Sequence, residues 1–392
     1  MMVIMSVLLD IQDLKVWFRN AFGSTVQALD GIQLTIHEGM TFGLVGESGC
    51  GKSVTARSIM RLQDQSTVQN GAIYFVDPRH ANNQYIDLLS LDENTMRQFR
   101  GKLISMIFQE PNAALNPIMT VGDQIAECFL IHQKMDMQHT LLHNWKTYQG
   151  IKKWLFYAPN QLVSLYHTYD SYILVKILRI LLGFKWLDRL LYQEAINRAT
   201  SLLTELGISD AVRVIQQYPH ELSGGMKQRI CIAMAIACNP VLLIADEATS
   251  NLDVTIQSQI LKLFKDLKKI ANVTILFITH DLGVVAETCT HASVMYAGQI
   301  CETAPVNVLF EAPYHPYTKA LIHAVPRYNQ DKPLESIPGS VPDLQNPPSG
   351  CRFHPRCPKS DHKCVQEKPI LRSINYMHFV ACWRANEEAD HE

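Results

Sequence analysis

Gly46-Glu47-Ser48-Gly49-Cys50-Gly51-Lys52-Ser53 constrains this chain more than any other stretch. It fits G-x-x-x-x-G-K-[ST] at every fixed position. Residues 41–45 before it read as a short buried strand, and residues 54–62 after it hold no Pro or Gly to stop a helix. A glycine-rich turn between strand and helix leaves successive backbone N–H groups free to ring a phosphate, and the helix N-terminus adds partial positive charge. Lys52 is placed to reach the β- and γ-phosphates and the Ser53 hydroxyl to ligate Mg²⁺. The stretch is a nucleotide-phosphate site in an α/β fold.

At 392 residues the chain has room for two or three structural units. Its 47% hydrophobic content supplies a core, and a net charge of −2 offers no field for nucleic acid. The apolar start, residues 1–9, lacks a basic segment and a small-residue cleavage site, so it is expected to lead into a first strand. Residues 172–191 are the nearest approach to a membrane span, but Lys176, Arg179, Lys185, Asp188 and Arg189 interrupt them. Six of the ten cysteines (Cys50, Cys128, Cys231, Cys238, Cys289 and Cys301) are scattered, as in a chain kept reduced.

Residues 8–18 and 26–36 alternate as strands of a small antiparallel sheet. Phe18 on the first is placed to stack on an adenine ring. Residues 72–76 read as another strand and 88–100 as a helix. The apolar run 103–108 reads as a buried strand that ends in Gln109, whose amide is placed to meet Mg²⁺. Residues 120–134 and 193–206 look helical. Between them, residues 135–191 carry no chemical motif, although Ile173, Leu174, Ile177, Leu178, Leu181 and Leu182 recur at helical spacing. That pattern suits a helix folded onto its own domain or a basic helix resting on a membrane surface.

Two further stretches add chemistry. Ser223-Gly224-Gly225 opens a helix, again with bare N–H groups and a hydroxyl at its positive end. Residues 241–247 then form an apolar strand whose carboxyl end carries Asp246 and Glu247. Ligands of open parallel sheets bind at that end. Asp246 is suited to hold Mg²⁺ through water and Glu247 to polarise an attacking water. Residues 273–278 repeat the buried-strand pattern and lead to His280, which is placed to hydrogen-bond a γ-phosphate.

Taken together, these motifs resemble those of the ATP-binding subunit of an ABC transporter. They run in that family's order from Gly46 to His280 and include the 222–228 signature and an Asp253 loop. The resemblance implies a P-loop ATPase fold with an antiparallel β subdomain, an α-helical signature subdomain and a C-terminal extension. It also implies head-to-tail pairing, in which ATP held by Lys52 of one domain is closed over by Ser223 and Gly225 of the other. Ser105-Met106-Ile107-Phe108-Gln109-Glu110-Pro111 and His315-Pro316-Tyr317-Thr318 resemble the oligopeptide/dipeptide importers. There, import across the inner membrane uses a second ATPase subunit (a paralogue or a second copy), two membrane-spanning permeases and a periplasmic or extracellular peptide-binding protein. The ATPase sits peripherally on the cytoplasmic face.

The tail reads Cys351-x5-Cys357-x6-Cys364-x17-Cys382. Four thiolates suit zinc or an iron–sulfur cluster, and the lack of C-x2-C pairs weakens zinc. Resemblance to importer ATPases with this tail implies a [4Fe–4S] cluster, with plain thiols as the other reading. Four positions depart from the family. Ala248 replaces a usual Pro, Ser250-Asn251 precede Leu252-Asp253, and Val54 stands where a second Ser or Thr is common. The ATPase core is expected in two stretches, 1–118 and 239–312. A helical subdomain at 119–238, with the 135–191 insertion, separates them, and the extension follows at 313–392. Rival readings are import of antimicrobial peptides, nickel or another small solute, or a soluble ABC ATPase with no transport role.

Overall fold

The computed structural model describes residues 6–19, 24–63, 67–79, 84–147, 185–250, 252–324 and 337–385. Its contacts divide into two compact units, one of Met1–Pro111 with Asn239–Glu392 and one of Asn112–Cys238.

The first unit is built on two sheets. The smaller is antiparallel and holds β1 (Val7–Arg19), β2 (Thr25–His37), β4 (Thr67–Val76) and β5 (Tyr85–Asp87), in the order β2-β1-β4-β5. The larger has eight strands. These are β3 (Thr41–Val45), β6 (Ile104–Ile107), β7 (Leu242–Asp246), β8 (Thr274–Thr279), β9 (His291–Tyr296), β10 (Gln299–Pro305), β11 (Arg372–Asn375) and β12 (His378–Val380). Their order is β11-β12-β10-β9-β3-β8-β7-β6. β3, β6, β7, β8 and β9 run parallel, so their carboxyl ends share one edge of the sheet. β3, β6, β7 and β8 are buried along their whole length, which explains why they read as unbroken apolar runs.

Apolar residues of both sheets, among them Leu14, Ile32, Leu44, Ile244 and Leu276, form one core with Ala56 and Ile59 of the helix Lys52–Ile59. A second core gathers Tyr296, Leu309, Tyr317 and Phe353. The last strands carry the C-terminal extension onto the large sheet, because β12 pairs with β10 at Glu302↔Val380 and Thr303↔Phe379. The helix expected at 88–100 is shorter, Glu93–Phe99. Asp92 accepts hydrogen bonds from the backbone N–H groups of Asn94 and Thr95, and this cap sets the start.

The second unit is helical. Thr120 caps Val121–His132 by accepting from the Asp123 N–H. The expected single helix 120–134 instead ends at Gln133, and a separate helix, Lys134–Thr147, follows. Lys185–Glu205 starts well before the expected 193–206. Arg198 joins these last two helices by donating to Asp136 at 2.7 Å and Thr140 at 3.0 Å. The helical repeat from Ile173 to Leu182 lies outside the described residues. No helix among the described residues is long and apolar enough to cross a membrane.

Candidate functional site

The phosphate loop turns out of β3 straight into the helix Lys52–Ile59, and crowding explains its glycines. A Cβ on Gly46 would lie 2.1 Å from the Met295 carbonyl oxygen. Gly51 has φ 106° and lies under Leu29 and the Ala28 carbonyl, each less than 3 Å from an added Cβ. Lys52 is 5% exposed. Its Nζ curls back to donate to the carbonyls of Gly46 at 2.8 Å and Glu47 at 3.0 Å, with the buried Cys50 Sγ 3.7 Å away. A buried ammonium at the start of a helix gives the local positive charge that an anion site needs. Val54 packs half-buried against the core and offers no hydroxyl.

Parallel pairing carries the acid strand to the same edge. Ser53 Oγ donates to Asp246 Oδ1 at 2.9 Å. Burial pushes the Asp246 carboxyl above its ordinary range, and the neighbouring Glu247 charge pushes the same way. A buried carboxylate beside a hydroxyl is a hard-oxygen donor set of the kind Mg²⁺ takes, and the cation would relieve the buried charge. Glu247 follows with φ 47°, a left-handed conformation unusual for a residue with a side chain. This turn aims its carboxylate away from the strand. Oε2 accepts from Gln109 Nε2 at 2.6 Å and Oε1 lies 3.2 Å from His280 Nδ1. Gln109 and His280 are solvent-exposed, at the ends of β6 and β8.

Lys52, Ser53, Gln109, Asp246, Glu247 and His280 therefore gather at one sheet edge. Phe18 sits half-buried towards the end of β1, against the first core. Asp253 caps the helix Val254–Ala271 by accepting from the Ile256 N–H at 2.9 Å. Ser223, Gly224 and Gly225 belong to the second unit, where Ser223 caps the helix Gly224–Ile236. A Cβ on Gly224 would meet nothing within 4 Å, so that helix end is open.

Cys351, Cys357, Cys364 and Cys382 line one small cavity with Phe353 and Trp383. Burial pushes the Cys351 thiol up to about 12 and raises Cys357 and Cys364 as well. The donor type and count suit a cluster or zinc. Among the described residues, however, no three His, Cys, Asp or Glu side chains come close enough together to hold a metal ion. Sequence reasoning missed Arg356, which pairs with Glu47 of the phosphate loop at 2.9 Å. Its only signal was a basic residue one helical turn after Arg352, between two of the cysteines.

Comparison with known proteins gives the family and the fold. Residues 29–250 match the family described as ABC transporter, and residues 301–364 match the oligopeptide/dipeptide transporter C-terminal region. The chain is 42% identical over 384 residues to a probable peptide ABC transporter ATP-binding protein, y4tR, of Sinorhizobium fredii, covering 97% of this chain and 96% of that one. It is 40% identical to the oligopeptide transport ATP-binding protein AppD of Bacillus subtilis, covering 98% of each. The fold is similar to that of the ATP-binding cassette MJ0796, solved as a post-hydrolysis dimer bound to ADP and phosphate. That likeness has a TM-score of 0.53 at 21% identity, over 76% of this chain and 99% of the cassette. The chain belongs to the ABC transporter family, among the ATP-binding subunits of its oligopeptide/dipeptide group.

Proposed function

We propose that this chain is the ATP-hydrolysing subunit of an importer that carries dipeptides or oligopeptides across the inner membrane. The observation that carries the reading is the gathering of one lysine, one hydroxyl, two acids, an amide and an imidazole at a single sheet edge. In this reading the loop Gly46–Ser53, with Ser48, Gly49 and Cys50 at its turn, cradles the phosphates through backbone N–H groups other than those of Glu47 and Cys50, which donate to Tyr317 Oη and the Glu47 carbonyl. Lys52 neutralises the β- and γ-phosphates. Ser53, Gln109 and Asp246 (through water) hold Mg²⁺, which when bound offsets charge on the phosphate oxygens. Glu247 orients and polarises the attacking water, and His280 senses the γ-phosphate. Phe18 stacks on the adenine.

Two ATPase subunits pair head to tail, so Ser223, Gly224 and Gly225 of one close over the nucleotide of the other, with Asp253 in the seam. ATP favours the closed pair and hydrolysis removes that preference, which is what drives the permeases. The second ATPase is a paralogue or a second copy. Two membrane-spanning permeases and a periplasmic or extracellular peptide-binding protein complete the assembly, with this chain peripheral on the cytoplasmic face. Residues 1–118 and 239–312 make the ATPase core, 119–238 the helical subdomain with the 135–191 insertion, and 313–392 the extension. In a deletion strain, restoring the gene restores uptake of a labelled dipeptide. Restored nickel uptake without dipeptide uptake would reassign the solute.

The tail is proposed to hold a [4Fe–4S] cluster on Cys351, Cys357, Cys364 and Cys382, which line one cavity but would have to draw closer together than they stand here to ligate it. Protein purified without oxygen should carry about four irons and as much acid-labile sulfide per chain. Both should be lost together in Cys357→Ser and Cys364→Ser. A preparation with neither iron nor zinc reduces the tail to ordinary thiols.

A further inference from the structure

We infer that Arg356 is a positioning residue for nucleotide binding, through which the cysteine segment of the C-terminal extension braces the phosphate loop and neutralises Glu47. This rests on the reading of Gly46–Ser53 as the ATP site. The Arg356 side chain is 7% exposed and grips the Glu47 carboxylate with both ends of its fork, at 2.9 and 3.2 Å. A planar bidentate pair of this kind sets direction as well as charge. The guanidinium is itself held on its remaining sides. Its Nη1 also reaches the Tyr296 hydroxyl at 3.2 Å and its Nε donates to the Pro338 carbonyl at 2.8 Å.

The loop is held at two more points, by Tyr317 and by Gly298. The Glu47 backbone N–H donates to the Tyr317 hydroxyl at 3.1 Å. Tyr317 packs against Tyr296 and Phe353, with ring centres 4.6 and 5.3 Å away, and Phe353 lies between the two arginines in sequence. On the other side, the Gly298 N–H donates to the Cys50 carbonyl at 2.8 Å. The turn before it is gripped by Arg352, 3% exposed, whose guanidinium donates to the Ala297 carbonyl and to Gln27 Oε1. Arg352 and Arg356 thus fasten residues 351–357 to both flanks of the phosphate loop.

The charge argument gives the brace a direction. Glu47 places a carboxylate inside a loop whose task is to receive a polyanion. Unpaired, that carboxylate repels the phosphates across a partly desolvated gap, where charges act more strongly than in water. Paired with Arg356 it is neutralised and fixed in place by the fork.

The test is a double-mutant cycle read as the Kd of a non-hydrolysable ATP analogue, with kcat and KM for hydrolysis. Arg356→Met should raise Kd and KM about tenfold while kcat at saturation stays within about twofold. In a Glu47→Gln background the same change should raise Kd clearly less, since only the charge of Arg356 is then lost and no carboxylate is released from its fork. Glu47→Gln alone, which leaves Arg356 unneutralised beside the phosphates, should lower Kd, and it does not depend on Arg356→Met folding. Arg356→Lys, which keeps charge without the fork, should fall between. Wild-type Kd in both Arg356 variants, or an equal shift in both Glu47 backgrounds, overturns the inference. Lys52→Ala separates the two claims. If it leaves analogue binding intact, the site reading itself fails; if it abolishes binding while Arg356→Met has no effect, only the brace fails.

Discussion

Glu247→Gln stops ATP turnover, by roughly 10²–10⁴-fold, while the affinity for ATP stays within about twofold. The carboxylate lies beside the loop that holds the phosphates and belongs to no part of it. Its contacts are Gln109 at 2.6 Å and His280 at 3.2 Å, which orient it. Gln keeps the shape, accepts from Gln109 through its one oxygen and turns its NH₂ to His280 Nδ1, but it cannot accept a proton from water. The left-handed backbone at position 247 strains Gln and Glu alike, so the melting temperature should hold. Phosphate release and equilibrium binding of labelled ATP read the two effects separately. A variant that hydrolyses ATP at the unaltered rate would remove Glu247 from the role of base and leave the rest of the site standing.

Glu302→Gln should be the most damaging polar change to the fold, at roughly 2–4 kcal/mol. Glu302 is fully buried on β10. Its oxygens accept from the backbone N–H groups of Tyr314 and His315, both at 2.9 Å, and Oε1 lies 2.8 Å from His378 Nε2 on β12. An amide offers one acceptor oxygen where the carboxylate offers two, so a buried donor must face an NH₂ group. The cluster ties β12 to β10 and sets the start of the helix Pro316–His323, where His315 Nδ1 accepts from the Tyr317 N–H at 3.0 Å. Tyr317 in turn touches the phosphate loop.

Acid should weaken this cluster in two windows. Burial lowers His315 from 6.5 to about 4 in the fold. The unfolded chain therefore binds the extra proton first, and stability falls as pH drops from 6.5 to about 4. Burial works against the charged form of Glu302, yet the hydrogen bonds to His378, Tyr314 and His315 outweigh it and hold the carboxyl below 4.5. Its contribution is whole above 4.5 and is lost as pH falls through the lower, folded value. Thermal melting of both chains across this range checks the size and the windows. A melting temperature unchanged by Glu302→Gln would show that the extension is held elsewhere.

Much of the site was legible because its chemistry is local. The spacing of Gly46, Gly51, Lys52 and Ser53 carries its own geometry, since a strand, a tight turn and a helix start leave little freedom for where the N–H groups point. The acid pair at the end of an apolar run was readable for the same reason, as parallel strands bury both faces and stop at a functional edge. Caps were decisive where they were noticed. Ser223 starts its helix by its own side chain, as its place before Gly224-Gly225 suggests, and Asp253, read only as part of a loop, does the same. Asp92 does the same, and overlooking it made the 88–100 helix too long.

What the sequence by itself determined was therefore the inventory: a phosphate loop, its acids, its amide and imidazole, and strands apolar enough to lie inside a sheet. Each depends on residues within a few positions of one another. Only the tertiary structure decided which of them meet. Ser53 finds Asp246 across 193 residues and Glu47 finds Arg356 across 309. No periodicity encodes such pairs, because they follow from the order in which strands join the sheet. β7 lies beside β8, and β8 beside β3, which brings the acids to the loop. The extension closes onto β10 through a buried carboxylate and two backbone N–H groups, and in doing so lays a cysteine-flanked arginine against the phosphate loop.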